Sequence, residues 1–278
     1  MIILSPHEIH DEIYKIAQET ARMAKLYSGD PSVYVSEKIN ISGDVSKKID
    51  LILEDFIIEK IKEFDNESLI LSEERGLVKL SDEPKRIYII DPLDGSLNYV
   101  ADIPYCSISI AVASYPPKER EDHFLTGVVA EIFRDKIYSF VEEREAYLNK
   151  KRIFQRDYSE NIIITYLEDP RAMKALYEIW ISLNKPKIRS LGSAALDIIK
   201  TALGDFKAFI DLRPRLRNVD VASSIGFARS LGVEPTDHRG EAIKINLIEI
   251  SNVRSLIISK YRDLHQQIIN IATKYIEH

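Results

Sequence analysis

Among its 278 residues the sequence has one cysteine, one tryptophan and three methionines. A single thiol permits no disulfide within the chain and no cysteine-built zinc site. Cys106 stands inside an apolar run and reads as a small core residue, not a nucleophile. No apolar run reaches the ~20 residues of a membrane-spanning helix, and the first residues lack the basic-then-apolar order of a secretory leader. These absences predict a cytoplasmic protein with no membrane partner. Positive charge is not in excess either. The formal net charge of −6 disfavours a nucleic-acid surface. An acidic chain that handles an anion needs metal ions or local arginines to offset repulsion.

What is present begins with a 45% hydrophobic share, ample for a packed core. Ser5-Pro6-His7-Glu8 carries the signals of a helix start. Ile9, Ile13, Ile16, Ala17 and Ala24 follow at helical spacing, and Gly29-Asp30-Pro31 ends the run. Residues 32–45 are polar, contain Gly43, and predict a loop or short hairpin. A second amphipathic helix is predicted from about Ser46 to Phe64, with Asp50 in its first turn. There an acid is favoured by the helix dipole whatever else it does.

Two apolar strands then end abruptly in acids. Ser68-Leu69-Ile70-Leu71 runs into Ser72-Glu73-Glu74, and Ile87-Tyr88-Ile89-Ile90 runs into Asp91-Pro92-Leu93-Asp94-Gly95-Ser96. Unpaired carboxylates at a strand end are costly to bury, and a bound cation offsets that cost. Gly95 permits a turn whose amides approach an anion. If the two strands are neighbours, their acids converge.

Further strands are predicted at 107–113, 126–133, 136–142, 162–166, 208–212 and 255–259. Helices are predicted at 170–184, 194–203, 218–231 and 261–276, with Asn218 as the cap of the third. Residues 150–160 are charged and irregular, and mark a boundary between an N-terminal lobe, 1–155, and a C-terminal lobe, 156–278, of one compact unit. Strands and helices alternate without strict βαβ order. The fold class is therefore α/β, an α+β layered sandwich of helices and mixed sheets.

Three separated pieces, Ser72-Glu73-Glu74, Asp91-Pro92-Leu93-Asp94-Gly95-Ser96-Leu97-Asn98-Tyr99 and Val219-Asp220-Val221-Ala222-Ser223, together resemble the inositol monophosphatase and fructose-1,6-bisphosphatase superfamily of Mg²⁺-dependent sugar phosphatases. The segment Asp211-Leu212-Arg213 with Leu216-Arg217 resembles the archaeal branch that acts on both substrates. The resemblance implies metal ligands at Glu73, Asp91, the Leu93 carbonyl, Asp94 and Asp220, for two or three Mg²⁺. It implies catalytic roles for Asp50, Glu73 and Ser96. Substrate contacts would come from Asp94, Gly95, Ser96, Arg189, Ala194 and Arg213. It further implies a homodimer or homotetramer, and a loop over residues 36–45 that closes on the metals with Gly43 as hinge. The chemistry of the residues agrees, because an oxygen-only, carboxylate-rich set suits a hard cation.

Where the family usually carries Thr, Trp and Ala-Ala-Gly, this chain has Ser96, Val219 and Ala222-Ser223-Ser224. Serine keeps the hydroxyl, and the other changes touch packing. The expected activity is hydrolysis of fructose 1,6-bisphosphate or myo-inositol monophosphate by metal-activated water. Two rivals remain. One is a phosphatase of 3′-phosphoadenosine 5′-phosphate or NADP(H). The other is a non-catalytic RNA- or protein-binding member of the family.

Overall fold

A computed structural model describes residues 4–39, 45–117, 123–157 and 160–276. In chain order its helices are α1 (Pro6–Tyr27), α2 (Lys48–Phe64), α3 (Ser96–Val100), α4 (Pro170–Ser182), α5 (Ala194–Leu203), α6 (Asn218–Ser230) and α7 (Arg262–Ile276). The first helix starts as its sequence dictates. The Ser5 hydroxyl accepts the Glu8 amide at 3.3 Å, and the Glu8 carboxylate accepts the Ser5 amide at 2.7 Å.

Strands β1 (Ser36–Ile39) and β2 (Val45–Lys47) form an antiparallel hairpin, one of the two forms expected for this stretch. Gly43 lies outside the described residues. The main sheet is built from β3 (Ser68–Ser72), β4 (Gly76–Lys79), β5 (Arg86–Asp94), β6 (Ser107–Ser114), β7 (Phe124–Glu131), β8 (Ile137–Val141), β9 (Glu145–Leu148) and β10 (Lys151–Arg152). Its order is β10-β9-β8-β7-β6-β5-β3-β4. Neighbours are antiparallel except β3 and β5, which run parallel. The rest of the chain contributes β11 (Glu160–Thr165), β12 (Lys187–Arg189), β13 (Phe206–Asp211), the pair β14 (Leu216–Arg217) and β15 (Asn252–Val253), and β16 (Leu256–Ile258). A second sheet has the order β12-β11-β13-β16.

Alternation along the strands sets the layers. Ile70, Tyr88, Ile90 and Ile110 face α1 and α2 in one apolar cluster. Their neighbours Leu69, Leu71, Ile87 and Ile89 face α5 and α6 in another, which also holds Ile164, Phe209 and Ile258 of the second sheet. The far side of that sheet, with Ile163, Ala208, Ile210 and Ile257, packs on α4 and α7. The result is five layers: helices, main sheet, helices, second sheet, helices. This is the expected layered α/β class. Because α5 and α6 lie between the sheets, they are buried almost all round. No helix among the described residues is long and apolar enough to cross a membrane.

Six short strands, β4, β9, β10, β12, β14 and β15, were not expected from the sequence. They have two to four residues each, too few for a period to show. A second difference matters more. The acid-bearing strand does not stop at Ile90 but continues to Asp94. Asp91 pairs with Ser109 and Asp94 with Ser107, so three steps on β5 match two on β6. One extra residue makes a bulge, which re-aims the side chains around it.

Candidate active site

The site begins with a register. In the parallel pair β3–β5, Ser72 lies opposite Ile90. The residues that follow, Glu73 and Asp91, therefore emerge at the same level. Asp220 arrives from the first turn of α6 on the neighbouring layer. One carboxylate oxygen from each of Glu73, Asp91 and Asp220 lies within 4.8 Å of the others, the sole such acidic group among the described residues. Asp91 and Asp220 are buried, and Glu73 is half-buried. Charges at this separation repel by roughly 3 kcal/mol per pair in a partly screened interior. Burial, then the charge of Glu73, pushes the Asp91 pKa well up. Burial raises Asp220 to about 6, against the pull of Arg217. A cluster of oxygen donors that resists ionising in isolation fits a hard divalent cation.

Asp94 is held apart from this trio. Its Oδ1 accepts the Ala194 amide and its Oδ2 the Ala195 amide, both at 3.1 Å, at the start of α5. The Ser193 hydroxyl also donates to it, and Ser107 donates at 3.3 Å. Burial raises its pKa to about 7 while these bonds pull it down. Asp94 thus ties the main sheet to α5, and Ala194 contributes its amide there. The Leu93 amide donates to Asp91 Oδ1 at 2.9 Å, and its side chain is buried in the core beneath.

Gly95 caps α3 with φ of +88°, in the left-handed region. A Cβ there would come within 3.0 Å of the Gly192 carbonyl. Ser96, the first residue of α3, is half-buried. Asn98 holds this helix against the chain before α5, donating to the Tyr105 carbonyl at 2.8 Å and the Leu191 carbonyl at 2.6 Å.

Asp50 is buried at the third position of α2. Its Oδ2 accepts the Lys47 amide at 2.7 Å, while Oδ1 is buried with no hydrogen-bond partner among the described residues. Burial first, then the nearby Glu73 charge, pushes its pKa up to about 8. A buried carboxyl with one idle oxygen beside a metal-ligand cluster is suited to hold or release a proton.

Two residues not expected among the metal ligands or catalytic groups belong to this site. Glu54, one turn beyond Asp50, is fully buried and binds the Glu73 turn from below. Its Oε1 accepts the Glu74 amide at 3.1 Å and the Arg75 amide at 3.3 Å, and the Ser72 hydroxyl donates to it. Nothing in its spacing separates it from the ordinary helix acids around it. Arg217 was visible only as part of the segment that resembles the archaeal branch. Its Nη2 donates to Asp220 Oδ1 at 3.0 Å and also to Glu73 Oε1, so one nitrogen joins two of the three acids.

The two arginines expected to contact substrate are held by partners of their own. Arg213 is buried, donates to both Asp211 oxygens at 2.9 and 2.8 Å, and bonds Glu168. Its guanidinium stacks over Tyr166 at 4.4 Å. A phosphate reaching Arg213 would compete with two carboxylates, of which Glu168 is exposed and the easier to displace. Arg189 is exposed and donates to the Ile188 carbonyl at 2.7 Å.

A model of the inositol monophosphatase family matches residues 6–277. The chain belongs to the inositol monophosphatase family. Within it, an inositol-1-monophosphatase of Aeropyrum pernix is 33% identical over 253 residues, covering 88% of this chain and 90% of that protein. A fructose-1,6-bisphosphatase/inositol-1-monophosphatase of Methanothermobacter thermautotrophicus is 29% identical, covering 92% and 93%. A solved structure described as an inositol monophosphatase-fructose 1,6-bisphosphatase superposes with a TM-score of 0.76 at 27% identity, over 94% of this chain and 98% of the other. The layered fold and the phosphatase family expected from the sequence are thereby established.

Proposed function

We propose that this family member is a Mg²⁺-dependent phosphate monoester hydrolase acting on myo-inositol monophosphate, fructose 1,6-bisphosphate or both. The observation that carries the reading is the convergence of Glu73, Asp91 and Asp220 within 4.8 Å from three separate segments. These acids, with the Leu93 carbonyl and Asp94, are the ligand set for two or three ions. Bound Mg²⁺ supplies a water of lowered pKa and neutralises the charge that develops on the leaving oxygen. The chain does the rest. Asp50, with its idle Oδ1, takes up the proton of the attacking water, and the Ser96 hydroxyl orients that water. The amides of Gly95 and Ser96 receive the phosphate. Asp94, Ala194, Arg189 and Arg213 line the sugar side. There, displacement of Glu168 from Arg213 opens a guanidinium for a second phosphate.

The division near residue 155 is part of the same proposal. The first lobe brings Glu73 and Asp91 and the second brings Asp220, so the ligand set is complete only when the lobes pack. A single buried Cys106 suits the reducing cytoplasm. The expected assembly is a homodimer or homotetramer with a sugar or inositol phosphate as its small-molecule partner and no nucleic acid.

The test is phosphate release with Mg²⁺ from myo-inositol 1-phosphate, fructose 1,6-bisphosphate, 3′-phosphoadenosine 5′-phosphate and NADP⁺. Turnover on either of the first two is expected. Turnover on the nucleotides alone would move the assignment to a nucleotide phosphatase. No turnover on any would leave the binding-module reading.

A further inference from the structure

Arg217 is the N-cap residue of α6, where β14 meets the helix. Its side chain is only 12% exposed and points into the acidic cluster. The two oxygens of Asp220 are used differently. Oδ2 accepts the Arg217 backbone amide at 2.8 Å, closing the helix end. Oδ1 accepts Nη2 at 3.0 Å and Nε at 3.2 Å, and Nε also reaches Oδ2 at 3.4 Å. Nη2 also bonds Glu73 Oε1. The guanidinium therefore spans the gap between Glu73, just past the end of β3, and Asp220 of α6.

A guanidinium cannot shed its charge under ordinary conditions. Within the acid cluster it therefore acts as a fixed cation on a flexible stem. A Mg²⁺ or Mn²⁺ ion bonded to Glu73 and Asp220 at about 2.1 Å would need the same oxygens and the same space between them. Backbone capping of Asp220 does not need the side chain. The guanidinium can therefore leave while Oδ2 stays held.

We propose that Arg217 is a built-in counter-cation of the metal site, which joins Glu73 to Asp220 and gives way when a divalent ion takes those oxygens. The inference rests on the metal reading above. It adds a trade: Arg217 keeps the acids assembled without metal and weakens metal affinity by competing for them. Once displaced, its charge remains near the site, where an anionic substrate would meet it.

The experiment is Mn²⁺ binding to the full chain without substrate, followed by the electron paramagnetic resonance signal of free Mn²⁺, for wild type, Arg217→Gln and Arg217→Lys. Thermal unfolding is measured in EDTA and in Mg²⁺. Arg217→Gln is expected to bind Mn²⁺ at least tenfold more tightly than wild type. It should melt lower in EDTA and gain more from Mg²⁺. Lysine keeps the charge but not the fork, and should fall between. Equal or weaker Mn²⁺ binding by both variants overturns the proposal. No Mn²⁺ binding by wild type or either variant overturns the metal reading itself. Should the glutamine variant not fold, a wild-type crystal soaked in Mn²⁺ decides. Nη2 is expected to have left Glu73 Oε1, and an ion on Glu73 with that bond intact contradicts the proposal.

Discussion

Asp50 and Asp220 occupy the same position in two different helices. Each is the third residue, and each gives Oδ2 to the amide of the residue before its helix, at 2.7 and 2.8 Å. The second oxygens diverge in role. Oδ1 of Asp220 is bound by Arg217, and Oδ1 of Asp50 is buried with no hydrogen-bond partner among the described residues. Substitution by asparagine keeps a side-chain oxygen that can accept the same amide, as glutamine does at the third position of a capping box. Asp220→Asn is expected to lose Mn²⁺ affinity tenfold or more together with turnover. Asp50→Asn should lose turnover by about 10²–10⁴-fold, the usual worth of a general base, with Mn²⁺ affinity within threefold of wild type. Binding and steady-state assays on the two variants separate the roles. Equal loss of affinity in both would make Asp50 a ligand.

Glu54 and Glu73 are coupled through the turn between β3 and β4. Removing the Glu54 carboxylate leaves the Ser72 hydroxyl and two amides without their acceptor. Glu54→Ala should destabilise by about 3 kcal/mol and weaken metal binding. Glu54→Gln keeps an acceptor and should retain most of both. Unfolding in denaturant with and without Mg²⁺ measures this. A Glu54→Ala protein with wild-type metal affinity would show that the turn needs no support from below.

Much of this site was legible. The run from Asp91 to Tyr99 marked its centre, and two apolar strands ending in acids meant that Glu73 and Asp91 would converge if those strands were neighbours. The parallel register of Ser72 and Ile90 delivers that convergence. Asp220 was legible only through the family resemblance, because no local spacing links it to residues so far upstream. Glu54 and Arg217 were not legible. Their partners are set by tertiary packing, and a buried helix acid or a basic loop residue carries no local sign of its neighbour. For the same reason the helix cap moved from Asn218 to Arg217, whose amide rather than side chain is what Asp220 needs. The bulge in β5 escaped as well, since Pro92 and two acids read as the end of a strand.

Gly95 carries both a left-handed backbone and a close neighbour. Gly29 has a similar φ of +84° with nothing within 4 Å of the position a Cβ would take. Gly29→Ala should cost about 1–2 kcal/mol, the strain alone. Gly95→Ala adds a clash with the Gly192 and Tyr105 carbonyls and should cost more, with loss of turnover. The difference between the two melting temperatures checks this. Equal shifts would mean that the chain around Gly95 yields freely.

Asp197 sets a pH dependence apart from the metal site. It is buried in α5 and accepts the hydroxyls of Tyr105 at 2.8 Å and Tyr166 at 2.7 Å. Burial pushes its pKa up to about 8, against those two bonds. A raised carboxyl pKa means the folded chain keeps a proton that the unfolded chain has lost. Its contribution is complete below the ordinary carboxylate range and is lost as pH rises through about 8. One such proton gives a slope of about −1.4 kcal/mol per pH unit in unfolding free energy across that window. Asp197→Asn should reduce the slope measured in urea titrations at several pH values by that amount, leaving the part due to Asp50, Asp91 and Asp94. An unchanged slope would place the proton elsewhere.

Glu73, Asp91 and Asp220 are expected to form a divalent-metal site on which phosphate release depends. The direct measurement is phosphate release from myo-inositol 1-phosphate and fructose 1,6-bisphosphate by protein stripped with EDTA and then supplied with Mg²⁺, for wild type and Asp91→Asn. The expected result is no turnover when stripped, recovery with Mg²⁺ in wild type, and no recovery in Asp91→Asn. Turnover by the stripped protein equal to that with Mg²⁺, or full recovery in Asp91→Asn, would contradict it.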